Sequence, residues 1–155
     1  MTLHLVRHAA AGDRSRFAGG DDLERPLDER GHEQAAALVP FFAERPVRAV
    51  WSSLATRCSQ TVGPLAAAHG LEVELRRELT EGARPNDLLE LMREQALIEG
   101  DIVMCSHGDL IPEALRLLQL RGAELVGPHM VEKASTWSVD FEADRPVRAV
   151  HTAAP

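Results

Sequence analysis

The segment Leu3–Asp13 reads LHLVRHAAAGD. Its first four residues are largely apolar and β-prone, as a short buried strand requires. The strand then ends in Arg7 and His8, and a polar loop containing Gly12 follows. A strand that stops in two adjacent basic side chains poses a specific problem. Arginines such as Arg7, and Arg57 further on, are costly to desolvate unless something anionic meets them.

Working outward, apolar runs of two kinds alternate along the chain. Asp28–Ala43 carries Ala35, Leu38, Val39 and Phe42 at helical spacing, with Pro40 expected to kink or shorten it. Val47–Ser52 reads as a second strand. Leu54–His69 reads as a helix interrupted by Pro64 and closed by Gly70. Leu71–Leu75 is a third strand, Asn86–Leu97 a helix, and Asp101–Ser106 a fourth strand. Asp109 is placed to cap a helix over Leu110–Arg121, with Pro112 in its first turn. Ser135–Glu142 and Val147–Thr152 read as two strands around an Ala-Asp-Arg-Pro turn. The expected fold is α/β: a three-layer sandwich with a mostly parallel central sheet flanked by helices. A C-terminal antiparallel hairpin is expected at one edge, and residues 1–155 form a single domain.

In open α/β sheets, ligands bind beyond the carboxyl ends of the strands. Arg7 and His8 follow the first strand. Ser52, Ser53 and then Arg57 follow the second. Glu78 and Glu81 follow the third, and Ser106 and His107 the fourth. Two arginines, two histidines and a carboxylate thus converge on one rim. Guanidinium forks match phosphate oxygens. A unit charge pair at 4 Å is worth about 4 kcal/mol at an effective dielectric near 20. A neutral imidazole can attack phosphorus, a second can donate to the transferring oxygens, and a carboxylic acid can protonate the leaving oxygen.

The chain's net charge of −7 gives no general attraction to nucleic acid or anionic lipid, so the charge that holds an anion must be local. No run approaches a membrane span, and no signal peptide precedes the first strand, so a cytoplasmic location is expected. Cys58 and Cys105 have no metal-ligand spacing and read as small buried residues. There is no HxH, HExxH or DxD run, and Gly19-Gly20 lacks the nucleotide P-loop pattern. Neither a metal nor another cofactor is expected.

The segments LVRHAAAGD, RPLDERGHEQAAAL, SSLATRCSQT, ELTEG and CSHGDLIPEAL together resemble the histidine phosphatase superfamily, with its phosphoglycerate-mutase-like fold. The compact length resembles its SixA-like branch, as does KASTW at 133–137. The resemblance implies a phosphohistidine intermediate on His8, a phosphate pocket of Arg7, His8, Arg57 and His107, and a proton donor at Glu81. Glu78 competes for that last role, with Asp13 and Asp109 in reserve. Ala9 stands where the family usually has glycine, which matters only if the backbone there demands one.

The length leaves little room for the insertions of the mutases, so hydrolysis is favoured over transfer. Arg14 and Arg16, on the long Ala9–Leu27 connection, and Ser53 are expected substrate contacts. The implied partners are a phosphorylated small molecule, a nucleotide or a phosphohistidine protein. Similar domains occur fused to nucleotide-cleaving Nudix domains. A non-catalytic phosphate-binding module and a phosphoglycerate-mutase-type transferase are the alternatives.

Overall fold

The computed structural model describes residues 1–155. Its strands are β1 (Thr2–Arg7), β2 (Val47–Ser52), β3 (Val73–Leu75), β4 (Asp101–Ser106), β5 (Glu124–Val126), β6 (Thr136–Glu142) and β7 (Arg145–Thr152). Its helices are α1 (Glu29–Phe42), α2 (Thr56–Ala68), α3 (Pro85–Gln95) and α4 (Leu110–Leu120). The seven strands form one sheet in the order β3-β2-β4-β1-β6-β7-β5. β3, β2, β4 and β1 are parallel, and β6 runs antiparallel to both β1 and β7.

The two-residue alternation of a strand builds the layers. Leu3 and Leu5 of β1, with Ile102 and Met104 of β4, face the core formed with α3 and α4. Val6, Val103 and Cys105 face the opposite core, formed with α1 and α2. All seven side chains are fully buried. Truncating one of the leucines would cost about 2–5 kcal/mol. His4, on the α1 side, is a satisfied core residue bonded to Asp101 and Ser138.

Some boundaries differ from the sequence reading. The C-terminal hairpin is not at the edge: β6 pairs with β1, and β5 lies outside β7 in parallel to it. A three-residue strand carries too little alternation to signal itself, and its pairing with β7 defines it. The hairpin turn is Ala143-Asp144, while Arg145 and Pro146 already belong to β7. Helices α1 and α2 run past Pro40 and Pro64 to Phe42 and Ala68. Asp109 does not cap α4 through its side chain. Its own backbone is already helical, and its carboxylate instead accepts the Gly82 N–H at 3.0 Å. No helix is long and apolar enough to cross a membrane.

The parallel register positions the site. Arg7 pairs with Ser106, and Ser52 with Cys105, so β1, β2 and β4 end level with one another. His8, Ser53 and His107 leave the sheet side by side.

Candidate active site

The loop after β1 is shaped from its own sequence. Asp28 caps α1 by accepting the Gly31 N–H, and its second oxygen accepts the Gly12 N–H. Gly31 passes so close to Ala10 that a Cβ would sit 1.9 Å from the Ala10 carbonyl oxygen. Ala9 has no positive φ, so alanine meets no backbone strain where the family prefers glycine. Its N–H donates to Thr61 Oγ1, and its carbonyl receives the His8 ring.

His8 Nδ1 donates to Ala9 O at 2.8 Å. A carbonyl can only accept, so the ring proton sits on Nδ1 and the lone pair on Nε2. Burial lowers the His8 pKa to about 3. The Ala9 bond opposes that shift, and His107, Arg57 and Arg7 add to it. The imidazole is therefore neutral across the physiological range.

His107, from the end of β4, lies with its ring centroid 5.3 Å from that of His8. Its Nε2 is 2.7 Å from Ser53 Oγ. That oxygen also accepts the Ala55 N–H. The Cys58 thiol, 3.5 Å from the same nitrogen, can donate instead to Ser106 O. Nε2 of His107 is thus engaged by Ser53 and Cys58, and its Nδ1 has no partner in the protein.

Arg7 and Arg57 complete the floor. Arg7 Nη1 donates to Val131 O at 2.7 Å, and Gly108 packs on the guanidinium. Arg57, almost fully buried, donates to Asp22 O and contacts the carboxylates of Asp22 and Glu81 at 3.2 and 3.3 Å. The Nε atoms of both arginines are buried without a partner. Buried unpaired donors are costly, and an oxyanion would satisfy them.

These groups line a cavity of about 580 Å³ whose walls contain no hydrophobic residue. Arg7, His8, Arg14, Arg57, Glu81 and His107 all line it, as do Asp13 and Asp109. Two expected substrate contacts do not. Ser53 is buried behind His107 and acts on that ring, not on the cavity. Arg16 points to solvent beside Asp13. Glu78 lines a separate depression with Asp87 and Glu90, so Glu81 is the carboxylate of this pair that reaches the cavity. Both Glu81 oxygens lie 2.9 Å from Arg14 Nη2.

Three contributors were not assigned from sequence. Arg25 donates to Ala11 O and to Asp22, tying the loop to the cavity wall. Asp22 links Arg14, Arg25 and Arg57. Lys133 lines the cavity with no ion-pair or hydrogen-bond partner, and burial together with Arg7 and Arg25 lowers its pKa. The one sequence signal for Lys133 was its place in KASTW. No three His, Cys, Asp or Glu side chains converge as metal ligands.

At the strand ends of this sheet a buried neutral imidazole is ringed by two guanidiniums and a second imidazole, a set able to bind an oxyanion and present a nucleophile to it. The model of the histidine phosphatase superfamily (branch 1) matches residues 3–85, and the chain belongs to that family. An 8-oxo-(d)GTP phosphatase of Mycolicibacterium smegmatis is 32% identical over 157 residues, covering 99% of this chain and 48% of that protein. The chain spans about half the length, or less, of the curated relatives it matches. Among solved structures, a protein histidine phosphatase SixA complexed with tungstate superposes with a TM-score of 0.79 at 16% identity, over 99% of this chain and 95% of that one. A mycobacterial glucosyl-3-phosphoglycerate phosphatase gives 0.71 at 16% identity, over 98% and 97%. At such identities these two show the shared fold, phosphoglycerate-mutase-like and compact.

Proposed function

We propose that the chain is a metal-independent phosphatase that hydrolyses a phosphomonoester or a phosphohistidine through a covalent phosphohistidine at His8. The observation that carries this reading is the His8 Nδ1–Ala9 O bond, which leaves Nε2 unprotonated in the cavity. Binding alone needs cations. It does not need a neutral nucleophile held in one tautomer.

In the reaction, Nε2 of His8 attacks phosphorus as the bond to the leaving oxygen breaks. Arg7, Arg57 and the His107 ring hold the equatorial oxygens, where charge builds in the transition state. Glu81 gives a proton to the leaving oxygen. It then takes one from the water that attacks the phosphohistidine, and inorganic phosphate leaves with the imidazole restored. The M. smegmatis relative favours a nucleotide among the possible substrates. The fold shared with SixA keeps a phosphohistidine protein as the second reading. Cys58 and Cys105 are unpaired thiols, which suits a reducing compartment, and we place the enzyme in the cytoplasm.

The test is release of p-nitrophenol from p-nitrophenyl phosphate with EDTA present. Wild type is expected to turn over, and a folded His8→Ala variant is not. Equal activity in both would overturn the reading.

A further inference from the structure

A second cavity, of about 360 Å³, lies beside the phosphate cavity, and Gly108 lines both. The two differ in chemistry. The first has no apolar wall, so any apolar part of a substrate must lie outside it. The second is walled by Leu115 of α4, Leu125 of β5, Val131 and Trp137.

Arg7 ties the two together. A Cβ on Gly108 would stand 2.8 Å from Arg7 Cζ, so the glycine lets the chain lie against the guanidinium. The same guanidinium fixes the second cavity's wall, since Nη1 donates to Val131 O. Trp137 Nε1 donates to Met130 O at 2.9 Å and pins the same segment from below. The cavity is thus held in shape by bonds already made, one of them from the phosphate site.

Its polar groups are few and placed at the rim. Gln119 offers both a donor and an acceptor. Arg116 spends Nε on Glu113 and keeps its terminal nitrogens free. The His129 ring stands 6.4 Å from that of Trp137 at 60°. Apolar walls with a few donors and acceptors at the edge suit a flat heteroaromatic ring. The other cavity adjoining the phosphate site shares Arg14, Glu81 and Asp109 with it, adds Asp21 and Asp22, and offers Leu23 as its one hydrophobic residue. It provides no comparable surface for a ring.

We propose that the Gly108–Trp137 cavity receives the base of a nucleoside phosphate whose phosphoryl group lies between Arg7 and Arg57. This rests on the phosphatase reading and names its substrate class.

The test is calorimetric binding in the His8→Ala background, where no transfer consumes the ligand. The probes are inorganic phosphate, ribose 5-phosphate and guanosine 5′-monophosphate. The nucleotide is expected to bind about tenfold more tightly than the sugar phosphate, or better, from the base contacts alone. Leu125→Trp, which fills the cavity, should bring the two within about twofold while inorganic phosphate binds as before. Gln119→Ala, on an exposed position, should weaken the nucleotide alone. Equal binding of nucleotide and sugar phosphate would overturn the proposal, as would an undiminished difference in Leu125→Trp. If inorganic phosphate itself failed to bind, the phosphatase reading would fall first and this proposal with it.

Discussion

The Ser53 hydroxyl and His107 Nε2 are hydrogen-bonded at 2.7 Å in a region closed to solvent, and this bond fixes which nitrogen of His107 faces the cavity. Ser53 is thereby a positioning residue. Ser53→Ala leaves Nε2 without that partner and frees the ring to turn. We expect kcat to fall by about 10–100-fold with a smaller change in KM, and Ser53→Thr to recover most of it. The imidazole 15N shifts of His107 should report the lost bond. Wild-type kcat with unchanged shifts in Ser53→Ala would remove this role.

Glu78 lies in the short turn Arg77–Leu79 and Glu81 just after it, and the two face different surfaces. Glu81→Gln should lower turnover of an alkyl phosphate by about 10²–10⁴-fold, and that of p-nitrophenyl phosphate by less, because nitrophenolate leaves without a proton. Glu78→Gln should be neutral. The measurement is kcat on both substrates for both variants, and the reverse ranking would transfer the acid role to Glu78.

Burial keeps His8 neutral in the folded chain down to about pH 3, whereas the unfolded imidazole takes its proton near 6.5. Below pH 6.5 the unfolded state binds the extra proton, so this contribution to stability is full above 6.5 and is lost as pH falls. Between pH 6.5 and 4 the loss from His8 alone is about 3 kcal/mol. Urea unfolding at the two pH values should show wild type losing that much more than His8→Ala. Equal losses would mean that the imidazole is not held neutral. The same depression predicts no acid limb from His8 in kcat/KM above about pH 4.

What the sequence disclosed follows from how each feature is built. Arg7, His8, Arg57 and His107 were legible because parallel strands end on one rim, and position in sequence translates directly into position in space. β5 was not legible, since Glu124–Val126 is defined by its partner and not by its own alternation. Ser53 was read as a substrate contact because it sits at a strand end. Only the side-chain direction shows that it serves His107. Asp22, Arg25 and Lys133 come from loops, and they meet the site only when those loops fold over it. The choice between Glu81 and Glu78 needed the turn around buried Leu79.

The proposed reaction turns on a phosphoryl group carried by His8. Wild type mixed rapidly with a turned-over phosphate ester, quenched in alkali and mapped by peptide mass spectrometry, tests it most directly. Phosphorylation is expected on the peptide carrying His8, and none in the His8→Ala variant. Phosphorylation confined to His107 or another residue, or turnover by His8→Ala, would contradict it.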